Sequence, residues 1–188
     1  MDRQRLINLL AATAAITVFG FTFGLMFPLL SLIMESRGVA SQWIGYSAAM
    51  HPLGILLSVF FIPSVVRRFG AKRAVIGAAL LTAAVIVSYP FVSIFWGWFV
   101  LRILQGFFVS MLFAISEAWI VRFASGPWRS RILALYTSIL ALSFGGGPAI
   151  ISVTGIEGVL PFLAGAAVLL AAMVPILFVG DEEVDSED

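Results

Sequence analysis

The residues able to do chemistry are few and widely spaced. There is one histidine, His51, and no cysteine, which removes disulfides, thiolate metal sites and polyhistidine metal sites together. No metal and no cofactor are therefore expected. What remains is one cation, Arg102, within a long apolar run, one anion, Glu117, near the end of the same run, and an imidazole that titrates near pH 6.5 when unperturbed. Arg102 suits selection of an anionic group or coupling to protonation, with Gln105 and Gly106 on the same helical stretch, and His51 is a candidate proton carrier. Nucleophilic catalysis needs a serine within reach of a base. The nearest lookalike, Phe123-Ala124-Ser125-Gly126, lacks the leading glycine of G-x-S-G and lies in a basic loop, far along the chain from His51. An intramembrane serine protease is disfavoured, and no enzyme is expected.

The elements that must position these groups follow from composition. Of the 188 residues 61% are hydrophobic and 11% charged, with a mean hydropathy of +1.08, values that belong in lipid rather than water. A crossing needs about 20 mainly apolar residues at about 1.5 Å rise each. That rule predicts six spans, at 6–34, 43–66, 74–88, 95–121, 132–153 and 159–179, in one bundle over 1–180. Tyr89, Pro90, Phe95, Trp96 and Trp98 mark a turn in an aromatic interface belt between the third and fourth. The first run is roughly twice the length of a signal-peptide core of about 7 to 15 residues, so it reads as a retained helix. The acidic stretch 181–188 reads as a solvated tail or the start of a linker.

Basic residues set the orientation. Arg3 and Arg5 precede span 1; Arg67, Arg68, Lys72 and Arg73 join spans 2 and 3; Arg122, Arg129 and Arg131 join spans 4 and 5. The opposite loops hold only Arg37. Both termini are therefore expected in the cytoplasm of a multi-pass protein of the cell (inner or plasma) membrane. Short basic clusters between apolar runs form no continuous nucleic-acid face, so no nucleic-acid partner is expected.

At about 100° per residue, Thr13, Thr17, Gly20, Gly24 and Ser31 share one stripe of the first span, and Ser47, His51, Gly54 and Ser58 one stripe of the second. Such stripes serve close helix packing, as the Gly20/Gly24 spacing would, or they line a cavity. Arg102 has two readings as well. It snorkels to the nearby interface, or it faces a water-filled cavity that compensates the roughly 3 kcal/mol of a charge at mid-membrane. Glu117 is expected to pair with Arg122, Arg129, Arg131 or the basic loop after span 2.

Three pieces resemble the major facilitator superfamily. The loop Val66-Arg67-Arg68-Phe69-Gly70-Ala71-Lys72-Arg73 is similar to that family's D-R-x-G-R-R/K signature: Arg68 and Gly70 match, while Arg67 replaces the acid and Ala71 an arginine. Arg102-Ile103-Leu104-Gln105-Gly106 resembles R-x-x-Q-G in helix 4, associated with coupling in proton-coupled members. Gly147-Pro148 matches the end of the G-x-x-x-G-P antiporter motif, whose first glycine is Ser143 here, and a Gly/Pro cluster is expected to bend or thin that helix. Ser116-Glu117-Ala118-Trp119 with Arg129-Ser130-Arg131 is most similar to a poorly characterised bacterial branch.

The resemblance implies an all-α membrane protein, six transmembrane helices as two three-helix inverted repeats, forming the N-terminal half of such a transporter. It implies secondary active transport of a small molecule by alternating access, with proton-coupled export as the finer expectation. The cavity would be lined by Thr17, Gly20, Gly24, Arg102, Gln105 and Gly106. Arg68, Gly70, Arg73, Glu117, Arg129 and Arg131 would form the cytoplasmic gate. The expected partners are the bilayer, a small-molecule substrate and a second six-helix half, in the same longer chain or as a second copy. The alternative is a non-transporting scaffold or assembly subunit derived from a transporter.

Overall fold

The computed structural model of the chain describes residues 3–124 and 126–179. The acidic stretch 181–188 and Ser125 of the protease lookalike lie outside the described residues. Among the described residues seven α-helices run in order: α1 (Arg3–Ser36), α2 (Ser41–Val59), α3 (Ile62–Phe69), α4 (Ala71–Ser88), α5 (Phe95–Phe123), α6 (Arg129–Thr154) and α7 (Leu160–Ala172). Tight 3-10 turns at Tyr89–Phe91 and Val174–Phe178 follow α4 and α7. Among the described residues five helical runs are long and apolar enough to cross a membrane, and α2 with α3 qualifies as one more, bent by 55°. The result is an all-α bundle of five candidate spans, or six when the bent pair α2 and α3 counts as one, the solution lipid imposes because a helix pairs its own backbone groups.

Two spans differ from the even helices that hydropathy predicts, for one reason. Pro63 lacks an N–H, and its ring crowds the carbonyl four residues back, that of Val59. The second span therefore stops as a straight helix at Val59 and restarts as α3 at Ile62, with Pro63 in the first turn. Pro175 stands in the same relation to Ala171, and the last span tightens into a 3-10 turn beyond α7. Between α3 and α4 the chain reverses through Gly70 at φ 80°, a backbone conformation that side chains strain to adopt. Lys72 Nζ then donates to the Val179 carbonyl at 2.6 Å, tying the start of α4 to the end of the last span.

The pairing of helices is selective. α1 packs chiefly on α6 and α5, α5 on α2 and α4, and α4 on α7. Two crossings bring backbones into direct contact at glycines. A methyl group added at Gly24 would lie 2.1 Å from the Phe144 carbonyl oxygen, and one at Gly147 2.1 Å from the Leu25 nitrogen. In the second crossing, Gly54 faces the Ile103 carbonyl and Gly106 the His51 carbonyl, each at 2.0 Å from such a methyl. Small residues let membrane helices approach this closely, so dispersion between backbones replaces the hydrophobic drive that lipid does not supply. Outside, Leu56, Phe60, Leu142 and Val153 are well exposed, an apolar exterior that matches an acyl-chain solvent.

Candidate functional site

The polar interior gathers where α1, α2, the 3-10 turn after α4 and α5 converge. Arg102 sits seven residues into α5, about 10 Å along its axis, and is 1% exposed. It neither reaches the end of the helix nor opens to solvent within this bundle, which sets aside snorkelling to the interface. Its guanidinium carbon lies 5.4 Å from the centre of the Phe27 ring of α1. Tyr89 is completely buried and donates its hydroxyl to Gln105 Oε1 at 2.9 Å. It also stands edge-on to Trp98 and stacks on Phe162.

Tyr89 and Trp98 flank the turn expected between the third and fourth spans. Both are interior residues, whereas Phe91 and Trp96 beside them are exposed.

The cluster is short of acceptors. Among the described residues, Arg102 Nε and Nη2, Gln105 Nε2 and His51 Nε2 are buried without a hydrogen-bond partner. A buried donor left unpaired costs about 1–3 kcal/mol, and more when charged. The guanidinium presents its donors as a planar fork that fits a carboxylate or phosphate. The bundle's own described residues leave these buried nitrogens without a hydrogen-bond partner.

The remaining expected site residues sort by surroundings. Thr17 is half-buried and returns its hydroxyl to the Thr13 carbonyl of its own helix at 2.8 Å. Gly20, Gly24 and Gly106 face neighbouring backbones or side chains rather than a cavity, Gly20 against Leu140 and Ser143. The first-span stripe, open between packing and cavity, is a packing stripe at its glycines. His51 is 3% exposed, edge-on to Phe23 at 5.5 Å, with its carbonyl against Gly106. Ser58 of the second-span stripe pairs with Ser110 of α5 inside the bundle. α6 continues through Gly145-Gly146-Gly147-Pro148 without a break; Gly147 thins it for contact with α1.

At the basic end, Arg68, Arg73, Glu117, Arg129 and Arg131 are all exposed. Among the described residues no ion pair holds Glu117. Arg131 instead lies over the Trp128 ring at 4.6 Å, and Arg68 over Phe69 at 5.5 Å. The buried link there is neutral, between Ser116 and the Tyr136 hydroxyl at 3.0 Å.

One aromatic surface escaped the sequence reading. Phe19, Phe23 and Phe27 recur every fourth residue along α1 and form a half-buried ladder, with Phe23 stacked on Phe27 at 5.0 Å. Phe113 of α5 packs on Phe19 at 4.8 Å, and Phe144 of α6 stands edge-on to Phe23 at 5.5 Å. The spacing of four was the available signal. It was overshadowed by the polar stripe on the same helix, since 61% of the chain is hydrophobic and apolar periodicity discriminates little.

Comparison with known proteins agrees with this architecture. The family profile described as Major Facilitator Superfamily matches residues 12–188. An uncharacterized MFS-type transporter of Bacillus subtilis (strain 168), YfkF, is 25% identical over 163 residues, 87% of this chain and 42% of its own length. The uncharacterized MFS-type transporter Ent638_1421 of Enterobacter sp. (strain 638) is 27% identical over 175 residues, 92% of this chain and 44% of the relative. The uncharacterized MFS-type transporter YcaD of Salmonella typhi is 26% identical over the same span and shares. The chain thus spans less than half the length of these relatives. No solved structure matches it.

Proposed function

The chain belongs to the major facilitator superfamily, and from that premise we propose that it forms one six-helix wall of a secondary transporter that moves a small anionic molecule by alternating access. The observation that carries this reading is Arg102, a buried guanidinium with two unpartnered nitrogens beside Gln105, Tyr89 and His51. Helix packing needs no such group, and a charge at mid-membrane is tolerated where function recovers its cost of about 3 kcal/mol. The Phe19, Phe23, Phe113 and Phe144 rings supply an apolar wall beside it. Phe27 covers Arg102, so access to the guanidinium requires that ring to move, as it would when the bundle rocks.

The opposite wall comes from a second six-helix half, in the same longer chain or as a second copy, since superfamily halves are parallel repeats about an axis along the membrane normal. The correspondence of the two glycine crossings, α1 with α6 and α2 with α5, supports two inverted three-helix repeats within this half. Proton coupling in the export direction would use His51 as carrier and Arg102 as the charge that senses it.

Reconstitution into proteoliposomes, with flux of small organic anions measured with and without an imposed pH gradient, tests the reading. Flux that rises with the gradient is expected. Flux indifferent to it would remove proton coupling, and no flux from a correctly inserted transporter would favour a scaffold.

Orientation is tested separately. The chain has no native cysteine, and Ser130 and Glu157 are both exposed at opposite ends of α6 and its following loop. A cysteine at Ser130 should react only with cytoplasmic label and one at Glu157 only with external label. Reversed labelling would place the termini outside.

A further inference from the structure

We infer that the lipid-facing groove between α4 and α5 is a specific site for one anionic phospholipid, its acyl chain lying along the groove and its phosphate on Arg73. The groove encloses about 300 Å³ and is lined by Gly77, Leu81, Phe107, Phe108 and Met111, with Arg73 at its basic end. Its walls carry almost no polar surface, and neighbouring Leu80 and Leu81 are exposed within a membrane span. The bilayer is therefore the solvent this surface meets.

Gly77 makes the groove. Unlike the glycines at the helix crossings, it has nothing within 4 Å of where a Cβ would stand. No contact or backbone turn demands glycine there, and mid-helix it costs about 1 kcal/mol relative to alanine. The space it leaves is a channel for an alkyl chain.

Arg73 gives the chain its headgroup. It is exposed in the first turn of α4, where the helix dipole disfavours a cation, so α4's own stability does not account for it. An arginine at the end of an apolar groove, at the basic face of the bundle, complements a phosphate at the interface. The groove shares Arg73 with the cytoplasmic gate that the family resemblance implies, and none of its lining is His51, Tyr89, Arg102 or Gln105.

The test uses the 188-residue chain in mild detergent with equal amounts of phosphatidylglycerol and phosphatidylcholine, and native mass spectrometry to count retained lipid. One phosphatidylglycerol per chain is expected, preferred by about fivefold, the effect of one basic residue at an anionic headgroup. Gly77→Leu should fill the groove and remove the retained lipid, with helical content unchanged on circular dichroism. Gly77→Ala, which only narrows it, should lower retention by less and serves if the leucine variant misfolds. Arg73→Gln should abolish the preference between the two lipids. Equal retention of both lipids by the unmodified chain, or undiminished retention in Gly77→Leu, would overturn the proposal. So would a dimer that Gly77→Leu dissociates, since the groove would then hold a second copy of the chain.

Discussion

Arg102→Ala is expected to reduce substrate flux to background in the assembled transporter while leaving membrane insertion intact. The guanidinium is 1% exposed, and two of its nitrogens have no partner among the described residues, so its energetic balance within the bundle is unfavourable. Arg102→Met, similar in reach but uncharged, should therefore raise the thermal midpoint in detergent, by the equivalent of about 1–3 kcal/mol. Loss of flux together with gain of stability would separate a functional charge from a structural one. Arg102→Lys should also be impaired, because an ammonium offers no planar fork. Flux at the wild-type level in the alanine variant, at normal expression, would show that Arg102 only fills space beneath Phe27.

Neighbouring glycines of one motif should respond oppositely to the same substitution. Gly147→Ala puts a methyl group 2.1 Å from the Leu25 backbone nitrogen and 2.2 Å from the Gly24 carbonyl carbon. Backbone cannot rotate aside as a side chain can, so α1 and α6 must separate and give up the contacts between them. Overpacking of a core ordinarily costs about 1–3 kcal/mol, and a rigid backbone partner places this case at or above the top of that range. Gly145→Ala, two residues earlier, meets nothing within 4 Å and removes a mid-helix glycine, which should stabilise by up to about 1 kcal/mol. Gly106→Ala, against the His51 carbonyl at 2.0 Å, should behave like Gly147→Ala. Thermal unfolding and monodisperse yield in detergent measure all three. A Gly147→Ala protein as stable as the unmodified chain would mean that the α1–α6 crossing is looser than described.

That the chain is a bundle of membrane-spanning helices was legible from the residues because lipid makes the decision locally. Each span must satisfy its own backbone and present apolar side chains whatever its neighbours do, so hydropathy and length suffice. The interruption of the second span was not legible: Pro63 stands at the break, but Pro28, Pro52 and Pro148 lie inside unbroken helices, so a proline by itself does not mark where a span stops. The turn at Gly70 belongs with the local effects. The meaning of the stripes was not local. Gly24 and Gly77 are both glycines in apolar helices, yet one touches the Phe144 carbonyl and the other borders a groove. Only the placement of α6 beside α1, and of α3 and α5 on either side of an open groove at α4, distinguishes them. Arg102 and Tyr89 follow the same rule. Sequence left Arg102 open between interface and interior, and it was the convergence of α1, α2 and α5 that enclosed both side chains, because burial belongs to the assembled bundle and not to any single helix.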